Sequence, residues 1–487
     1  MSRFTVRRGS AWLPMATALV AVSACQDHRL GPPDPRPTTV LQQVTPLNFK
    51  NKLDVVFMID NSISMREEQD NLIRNFPRFM TVLKDASEGS PLDVHIGVIS
   101  SDLGSGQGSS VCKNKGFSQN GGFQSAARPP GAACPTPRGS FIVSNPQGNN
   151  FDGSIEDVFS CIARLGTDGC GFEHQLGSLR RALGGDPDVP MPPENTGFLR
   201  PDARLGVVLI TDEDDCSAPA NTDLFRDSDQ LLSHQYGPQQ SFRCNEYGHL
   251  CNGSLPPRRA GVTLTGCESN ETPSSKLIHI GDVVTFLQTL KPNPNQLVVA
   301  TITGPNTPYV TRVGEQRQIG APEYVEITPS CQIVGNEGAA PAVRLHQFTK
   351  AFGERGLIRS ICVDDFADVM EEIAIIVGRA APPCIGERLV DGDPNQPGRQ
   401  AQCVVVEQPQ ASALSNQETI IPACDGSAGK TPCWSLVTDA VQCPSTLAPE
   451  SLLLKIDRGG AAEPTERWLK TSCVVCLGDH DPRCAKP

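Results

Sequence analysis

Three oxygen-bearing side chains stand at alternate positions directly after an apolar segment near residue 60. Residues 53–59 read LDVVFMI and are followed by Asp60, Ser62 and Ser64. A carboxylate and two hydroxyls offer a hard divalent cation the oxygen ligands that it prefers. Asp and Ser are also common in turns, where they form local hydrogen bonds, so the triplet alone is a weak signal. It raises the hypothesis of a metal site.

A second acidic cluster follows another apolar run. Residues 204–211 read RLGVVLIT and lead into Asp212, Glu213 and Asp214. Continuous apolar runs of this kind are typical of parallel strands that are buried on both faces. Ligands bind beyond the carboxyl ends of such strands, where the strand order reverses. We therefore expect Asp60 and Asp212 to face each other across one crevice, provided that their strands are neighbours.

This constellation resembles the von Willebrand factor type A domain and its metal-ion-dependent adhesion site. The family's Asp-x-Ser-x-Ser motif matches Asp60, Ser62 and Ser64. Its distant Thr matches Thr167, and its later Asp matches Asp212. The resemblance implies Mg²⁺, with Mn²⁺ as an alternative, held directly by the three hydroxyls, while the two carboxylates act mainly through waters. Neutral ligands leave the cation electrophilic, so the implied role is to bind an Asp or Glu carboxylate of a partner protein.

Other residues near the motif leave alternatives open. Thr196 also lies between the two Asp residues and is the alternative to Thr167. Ile63 stands where many members of the family have Gly, which leaves the oxygen ligands intact. The acidic cluster Glu213, Asp214 and Asp215 could hold a second cation, repel a rival partner or form a solvated acidic loop, and Asp168 beside Thr167 has the same alternatives, so that Asp168, Glu213 and Asp214 are accessory candidates.

Alternating strands and helices must position these side chains. Strand-like runs cover residues 53–59, 93–100, 204–211, 296–303 and 357–362, and segments of helical periodicity separate them. This alternation predicts a doubly wound, mostly parallel α/β sheet with helices on both faces. Three long segments without strong periodicity carry cysteines and are interpreted as disulfide-held loop insertions: 102–138, 213–273 and 304–340.

The cysteines indicate an oxidising compartment. The chain has 19 Cys, and without Cys25 ten lie between Cys112 and Cys362 and eight between Cys384 and Cys484. Even numbers in both groups fit two separate disulfide frameworks. The second group, with short strand-like runs around it, predicts a small, cysteine-rich, disulfide-stapled β domain. Four residues near the C-terminus also have the spacing of zinc ligands, with disulfides as the alternative: Cys473, Cys476, His480 and Cys484.

The first residues resemble the signal peptide of a bacterial lipoprotein. An arginine-containing segment precedes an apolar stretch at 11–24 that is too short to span a bilayer, and the stretch ends in a lipobox-like VSAC. The resemblance implies cleavage before Cys25 and lipidation of Cys25. Gln26 follows in place of the Asp that is associated with inner-membrane retention, so we expect the outer membrane or the cell surface. The predicted organisation is a signal peptide (1–24), a Pro-rich linker (25–50), the type A domain (51–380) and the cysteine-rich domain (381–487).

Composition and missing motifs narrow the function. Acidic residues outnumber basic ones by 54 to 42, giving a net charge of −12, and no basic run marks a nucleic-acid-binding surface. The sequence lacks the Gly-x-Ser-x-Gly, His-Glu-x-x-His and Walker motifs of common enzymes. We therefore predict a non-catalytic, lipid-anchored binding or adhesion protein. The alternatives are a structural envelope protein that binds cell wall or polysaccharide, and a metal-dependent hydrolase.

Overall fold

A computed structural model describes most of the chain between residues 38 and 484. The described residues are 38–46, 52–86, 91–105, 119–127, 132–226, 228, 231–291, 296–314, 324–332, 338–378, 383–393, 400–409, 418–424, 431–440, 443, 445, 448–461, 467–476 and 482–484. The predicted signal peptide and Cys25 therefore lie outside the described residues.

The described residues form strands β1 to β17 and helices α1 to α7. The strands are β1 (Thr38–Pro46), β2 (Lys52–Ile59), β3 (Asp93–Ser100), β4 (Ile142–Asn145), β5 (Gly148–Asn149), β6 (Arg204–Ile210), β7 (His249–Cys251), β8 (Cys267–Ser269), β9 (Leu297–Thr303), β10 (Thr311–Val313), β11 (Val325–Ile327), β12 (Gly356–Ser360), β13 (Cys403–Pro409), β14 (Thr419–Ile421), β15 (Cys433–Thr438), β16 (Leu452–Asp457) and β17 (Arg467–Cys476). The helices are α1 (Arg66–Ala86), α2 (Ile155–Ala163), α3 (Gln175–Ala182), α4 (Phe242–Gly248), α5 (Ile280–Thr289), α6 (Val343–Lys350) and α7 (Ala367–Gly378). Short 3-10 turns cover Pro193–Asn195, Gly353–Arg355 and Pro482–Cys484.

The largest sheet has seven strands in the order β12–β9–β6–β2–β3–β4–β5. The five strands from β12 to β3 are parallel, and β4 and β5 add an antiparallel edge. The parallel strands coincide with the apolar runs of the sequence, and β6 and β9 are buried throughout. The predicted mixed α/β architecture with a large, mostly parallel sheet is confirmed.

Helices cover both faces of this sheet because β2 is apolar on both of its sides. Val55 and Phe57 belong to one hydrophobic core together with residues of α1, α2 and α7. Val56 and Met58 point the other way, into a second core with residues of α3, α5 and α6. Successive side chains of a strand alternate between faces, so a continuous apolar run needs a helix layer on each side.

A second sheet joins the two ends of the described chain. Its order is β1–β17–β13–β14, and β1 pairs antiparallel with β17 from Thr38 opposite Cys476 to Pro46 opposite Trp468. The prediction of a linker over residues 25–50 is therefore wrong for residues 38–46. This segment, TTVLQQVTP, has β-branched residues and no Pro before its last position, so it can form a strand, whereas the prolines that suggested a linker precede it.

Disulfides connect many of the loops and strands. The pairs with both cysteines described are Cys134–Cys161, Cys216–Cys244, Cys251–Cys267, Cys331–Cys362, Cys384–Cys443, Cys403–Cys473, Cys424–Cys433 and Cys476–Cys484. Every one of these pairs stays within one of the two groups that the sequence predicted. The zinc alternative is excluded for three of its four candidate ligands, because Cys473, Cys476 and Cys484 are disulfide-bonded. His480 lies outside the described residues.

Candidate metal centre

The two predicted metal-binding loops leave the central sheet at the carboxyl ends of its parallel strands, which form the carboxyl edge of the sheet. Strand β2 lies next to β6, and Ile59 pairs with Ile210 at the end of both strands. Asp60 directly follows β2, and its backbone N–H donates to the carbonyl of Ile210 at 2.9 Å. Asp212 follows β6 by two residues. The two strands are therefore neighbours, which is the condition under which Asp60 and Asp212 were expected to face each other.

Asp60 organises the first loop. Its carboxylate is fully buried and accepts three hydrogen bonds: Oδ1 from the backbone N–H of Ser62 at 2.8 Å and from Oγ of Ser101 at 3.2 Å, and Oδ2 from Oγ1 of Thr211 at 2.5 Å. Burial raises the pKa of Asp60, and the hydrogen bonds from Thr211 and Ser62 act in the opposite direction. The carboxylate is held in one orientation beside the hydroxyls.

The hydroxyls of the motif lie together next to the second Asp. Oγ of Ser62 and Oγ of Ser64 are 3.3 Å apart, and Ser64 forms a side-chain hydrogen bond with Asp212. Asp212 is 2% exposed, and its Oδ1 has no hydrogen-bond partner among the described residues. Burial raises the pKa of Asp212 well above its usual value, and the negative charge of Asp60 adds to this effect. The structure therefore brings these four predicted side chains together.

Thr167 lies in a loop that is fastened to the first one. The side-chain amide of Gln69 donates to the carbonyls of Asp60 at 2.9 Å and of Gly166 at 3.0 Å, and so bridges the two loops. The backbone N–H of Gly169 donates to the carbonyl of Asn61 at 2.9 Å. A Cβ atom at Gly169 would lie 2.4 Å from Oδ1 of Asn61, so this close approach requires glycine.

Thr196 lies near the amino ends of the parallel strands, which form the amino edge of the sheet. It follows the 3-10 turn Pro193–Asn195, and the carbonyl of nearby Phe198 is 2.9 Å from Nδ1 of His95, which belongs to the first half of β3. The carboxyl ends of the strands, where Asp60 lies, are at the other end of β3. Of the two threonines that the sequence left open, Thr167 is the one next to the candidate site.

Two further buried carboxyls lie near the site, and the sequence patterns did not single them out. Glu173 is 1% exposed, its Oε1 has no hydrogen-bond partner among the described residues, and burial together with the charges of Glu213 and Asp60 raises its pKa well above normal. Asp102 follows β3, and burial raises its pKa, as does the charge of Asp60. Its position two residues after a buried strand was the available signal.

The accessory candidates separate into different environments. Asp168 is exposed, and Glu213 is half-buried next to Glu173. Asp214 is 8% exposed and accepts from the backbone N–H of Arg344 at 2.9 Å, while its Oδ2 lies 2.8 Å from Nε2 of His249. Burial acts to raise the pKa of Asp214, but these hydrogen bonds lower it below its usual value. The interpretation as a solvated loop is wrong for Asp214, because it stabilises the start of α6.

The donor set fits an oxygen-preferring divalent cation. Buried carboxyls that raise one another's pKa are stabilised by a positive partner, and Oδ1 of Asp212 is available to one. Within the described residues no three or more His, Cys, Asp or Glu side chains converge as ligands. A cation between Asp60 and Asp212 would therefore take further ligands from the neighbouring hydroxyl oxygens. Mg²⁺ and Mn²⁺ accept such a set.

Comparisons with known proteins leave the function to be argued from this site. No protein-family model matches the sequence, and no curated protein matches it. Two crystal structures of the pilus adhesin SpaC from Lactobacillus rhamnosus GG, one in an open conformation, match with a TM-score of 0.30 and 10% identity, over 92% and 93% of this chain and 43% and 42% of SpaC. The tip pilin GBS104 from Group B Streptococcus agalactiae matches with a TM-score of 0.28 and 11% identity, over 91% of this chain and 82% of GBS104. The chain thus spans less than half of SpaC, and similarity at these TM-scores carries no inference.

Proposed function

We propose that this chain is a lipid-anchored envelope protein whose α/β domain, of the von Willebrand factor type A kind, binds an acidic group of a partner protein through a divalent cation. Mg²⁺ is the proposed cation and Mn²⁺ its substitute. Ser62, Ser64 and Thr167 would offer hydroxyl oxygens to it, and Asp60 and Asp212 would balance its charge. The cation would supply an electrophilic position for a carboxylate from outside.

One observation carries this proposal. The hydroxyls of Ser62 and Ser64 adjoin two buried carboxyls, and one oxygen of Asp212 has no partner among the described residues. Burial of Asp212 disfavours its ionised form, and a cation at this loop cluster would stabilise that form, which supports the proposal of a ligand here. The topology supports the same conclusion, since β2 and β6 are adjacent and place both loops at one edge.

Different residues of the chain orient the loops of this site and leave it open to solvent. Asp60 orients the loop through its bonds to Ser62 and Thr211, and α1 begins directly after the loop and holds Gln69 against both metal-binding loops. Ile63, between the two serines, is 77% exposed, so the site opens to solvent on this side. A partner can therefore reach the site without the core being disrupted.

We infer binding and not catalysis because the sequence lacks the motifs of common enzymes. His174 follows Glu173 directly, is 3% exposed, and burial lowers its pKa to about 4. Glu173 is 1% exposed. Both side chains are as enclosed as Asp60 and Asp212, so these two residues add no exposed general base to the site.

The polysaccharide alternative has no support of its own in the described residues. Trp434, one of the two tryptophans that could stack on a sugar, is 8% exposed and packs in the core beneath the second sheet. The side chain of Trp468 lies outside the described part of the structure.

Envelope location is proposed from the lipobox-like sequence at Cys25 and from the disulfides. Eight disulfides within the described residues are typical of an oxidising compartment. Among the described residues, no helix combines the length and the apolar character needed to cross a bilayer. The proposed attachment is through acyl chains at Cys25.

Calorimetry with a matched pair of variants tests the metal site. We expect wild-type protein to bind Mg²⁺ and Mn²⁺, and Asp212→Asn to lose at least about tenfold in affinity because it removes a charge from the site. Asp157→Asn, an exposed substitution in the first turn of α2, is the control and should match wild type. Absence of cation binding by wild-type protein would refute the metal site.

A crosslinking experiment tests the partner. The wild-type and Asp212→Asn proteins would be crosslinked in whole cells, purified with and without chelator, and compared by mass spectrometry. A partner that chelator and Asp212→Asn both remove, and that Asp157→Asn retains, would support carboxylate recognition. A partner set identical under all conditions would contradict it.

A further inference from the structure

Within the described part of the chain, a hydrophobic core covers one face of the four-stranded sheet and no core covers the other. Its inward residues, such as Val405, Ile421 and Leu469, form a core with Trp434 and Leu454 of the β15–β16 hairpin. Alternate side chains along each strand point to the opposite face of the sheet. On that outward face the described side chains are exposed or half-buried.

Five β-branched apolar residues cross the outward face as one stripe. Val40, Val404 and Ile420 are 55%, 52% and 70% exposed, and Val406 and Val474 are half-buried. Val40 is paired with Val474, and Val406 with Ile420. Val404 is paired with the residue two positions before Val474, so these two valines are diagonal neighbours. The stripe therefore runs through all four strands.

The sequence of these strands is typical of burial on both faces. Strand β13 reads CVVVEQP and β14 reads TII, without the alternation of apolar and polar residues that a sheet with one solvated face shows. Residues on the inward face already account for the core. The outward valines and isoleucine are therefore an exposed apolar patch on a sheet, and such patches mark contact surfaces.

The position of the stripe in the chain indicates what it contacts. Val40 belongs to β1, the first described element, and Cys25 lies thirteen positions before Thr38, where β1 begins. A chain of that length reaches at most about 45 Å. An acylated Cys25 would thus keep the start of this sheet within about 45 Å of the bilayer. Lys470 is paired with Val406 on the outward face and is half-buried, so its ammonium group suits anionic headgroups.

We propose that the outward stripe of this sheet docks on the lipid surface to which the chain is anchored. The proposal rests on the proposed lipid anchor at Cys25 and does not depend on the metal site. Once the acyl chains hold the protein on the membrane, contact of the stripe is intramolecular, so a small apolar patch is sufficient. The contact would orient the α/β domain relative to the membrane.

Photolabelling of the acylated full-length protein tests this contact. The protein would be reconstituted in vesicles of phosphatidylethanolamine and phosphatidylglycerol that contain a phospholipid with a diazirine in its acyl chain. Mass spectrometry then locates the lipid adducts. We expect adducts on peptides that contain β13 and β14, and about a tenfold decrease in the double variant Val404→Thr/Ile420→Thr, because threonine removes apolar surface and keeps a high β propensity.

The control places the same substitution on an unrelated strand. Val313 of β10 is 55% exposed, and Val313→Thr should leave the adducts on β13 and β14 unchanged. Circular dichroism melting of all variants shows whether each one is folded. Labelling of these peptides that is equal in the folded double variant and the wild type, or adducts found only elsewhere, would overturn the proposal.

Three further measurements distinguish lipid docking from dimerisation, from loss of the anchor and from metal binding. A dimer in sedimentation velocity that the double variant dissociates, with no lipid adducts in the wild type, would assign the face to a second copy of the chain and overturn lipid docking. The intact mass reports acylation of Cys25 independently, so an absent anchor is distinguished from an absent contact. Asp212→Asn should give wild-type labelling, which separates lipid docking from the metal site.

Discussion

The two edges of the central sheet bury carboxylates in opposite electrostatic surroundings. At the amino edge, Asp54 of β2 is 0% exposed and accepts from Nε of Arg200 at 2.8 Å and from Nζ of Lys291 at 3.2 Å. At the carboxyl edge, Asp60 is equally buried, and its hydrogen bonds come from hydroxyls and a backbone N–H. Near the start of β2, the charge of Asp54 is compensated by two cationic side chains. Directly after the end of β2, Asp60 lies among other acidic groups.

This difference separates a structural carboxylate from a binding one. Burial lowers the pKa of Lys291, and the charge of Asp54 acts to raise it, so the carboxylate stabilises the charged form of the lysine. Around Asp212 the charged groups with the largest effect on its pKa are the carboxylates of Asp60, Glu213 and Glu68, which all raise it. Where the chain supplies no counter-charge of its own, an external cation is the natural source.

The largest expected change in stability comes from removing the side chain of Arg200, which compensates Asp54 at the amino edge. Arg200→Ala would leave Asp54 buried with fewer donors, and we expect a loss of about 3–5 kcal/mol in the free energy of unfolding, measured with urea. Arg138→Ala, which removes an ion pair between exposed side chains, should change it by less than about 0.5 kcal/mol. The loss should be the same in Mg²⁺ and in EDTA. A loss that Mg²⁺ restores would contradict the structural role of this edge.

The carboxyl edge should respond to the cation instead. At a Mg²⁺ concentration about 100 times the dissociation constant, wild-type protein should gain about 3 kcal/mol of stability over EDTA, measured by thermal unfolding. At the same Mg²⁺ concentration Asp212→Asn, whose affinity should be at least about tenfold lower, should retain at most about half of this gain. In EDTA the same variant should be as stable as wild type or more stable, because it removes one member of a repulsive cluster. A clear destabilisation of the variant in EDTA would show that Asp212 is structural.

A buried base beside the site predicts a dependence on pH. The folded-state pKa of His174 is lowered to about 4 from 6.5, chiefly by burial. Its neutral form therefore contributes stability that is complete above pH 6.5 and is lost as the pH falls towards 4. Between pH 7 and pH 5 wild type should lose about 2 kcal/mol more than His174→Gln, as measured by urea unfolding in EDTA.

The buried carboxyls near the site change the stability with pH in the opposite direction to His174. Raised pKa values at Asp60, Asp212 and Glu173 give stability at low pH that is lost as the pH rises. These groups are common to wild type and variant, so the difference between the two proteins isolates the histidine. If the free energy of unfolding of wild type and of His174→Gln changed with pH by the same amount, the contribution of His174 would be refuted.

The smallest predicted effect separates the two threonines. Thr167→Val should weaken Mg²⁺ binding about tenfold by removing one hydroxyl ligand, while Thr196→Val at the opposite edge should leave the affinity unchanged. Both variants keep the shape of the side chain, and calorimetry measures both. Equal effects, or a larger effect at Thr196, would contradict the placement of the metal next to Gly166 and Gly169.

Local patterns in the sequence determined the five parallel strands of the central sheet and most of the candidate site. Apolar runs such as 53–59 and 204–211 need burial on both faces, and this requirement holds wherever the strands lie in the sheet. The alternate oxygens of Asp60, Ser62 and Ser64 are close in space because they are close in sequence. Even numbers of cysteines in each half likewise indicated the disulfides.

The strand order, the loop that joins the site and the surroundings of its acidic residues depend on contacts between distant segments, and only the tertiary structure decided them. The order that places β2 beside β6, the loop that carries Thr167, and the burial of Asp214 against α6 result from packing between elements far apart in the chain. The pairing of β1 with β17 joins the two ends of the described chain, and a strand's own sequence does not specify its partner. Side-chain periodicity is local, whereas strand order and register are set by long-range packing.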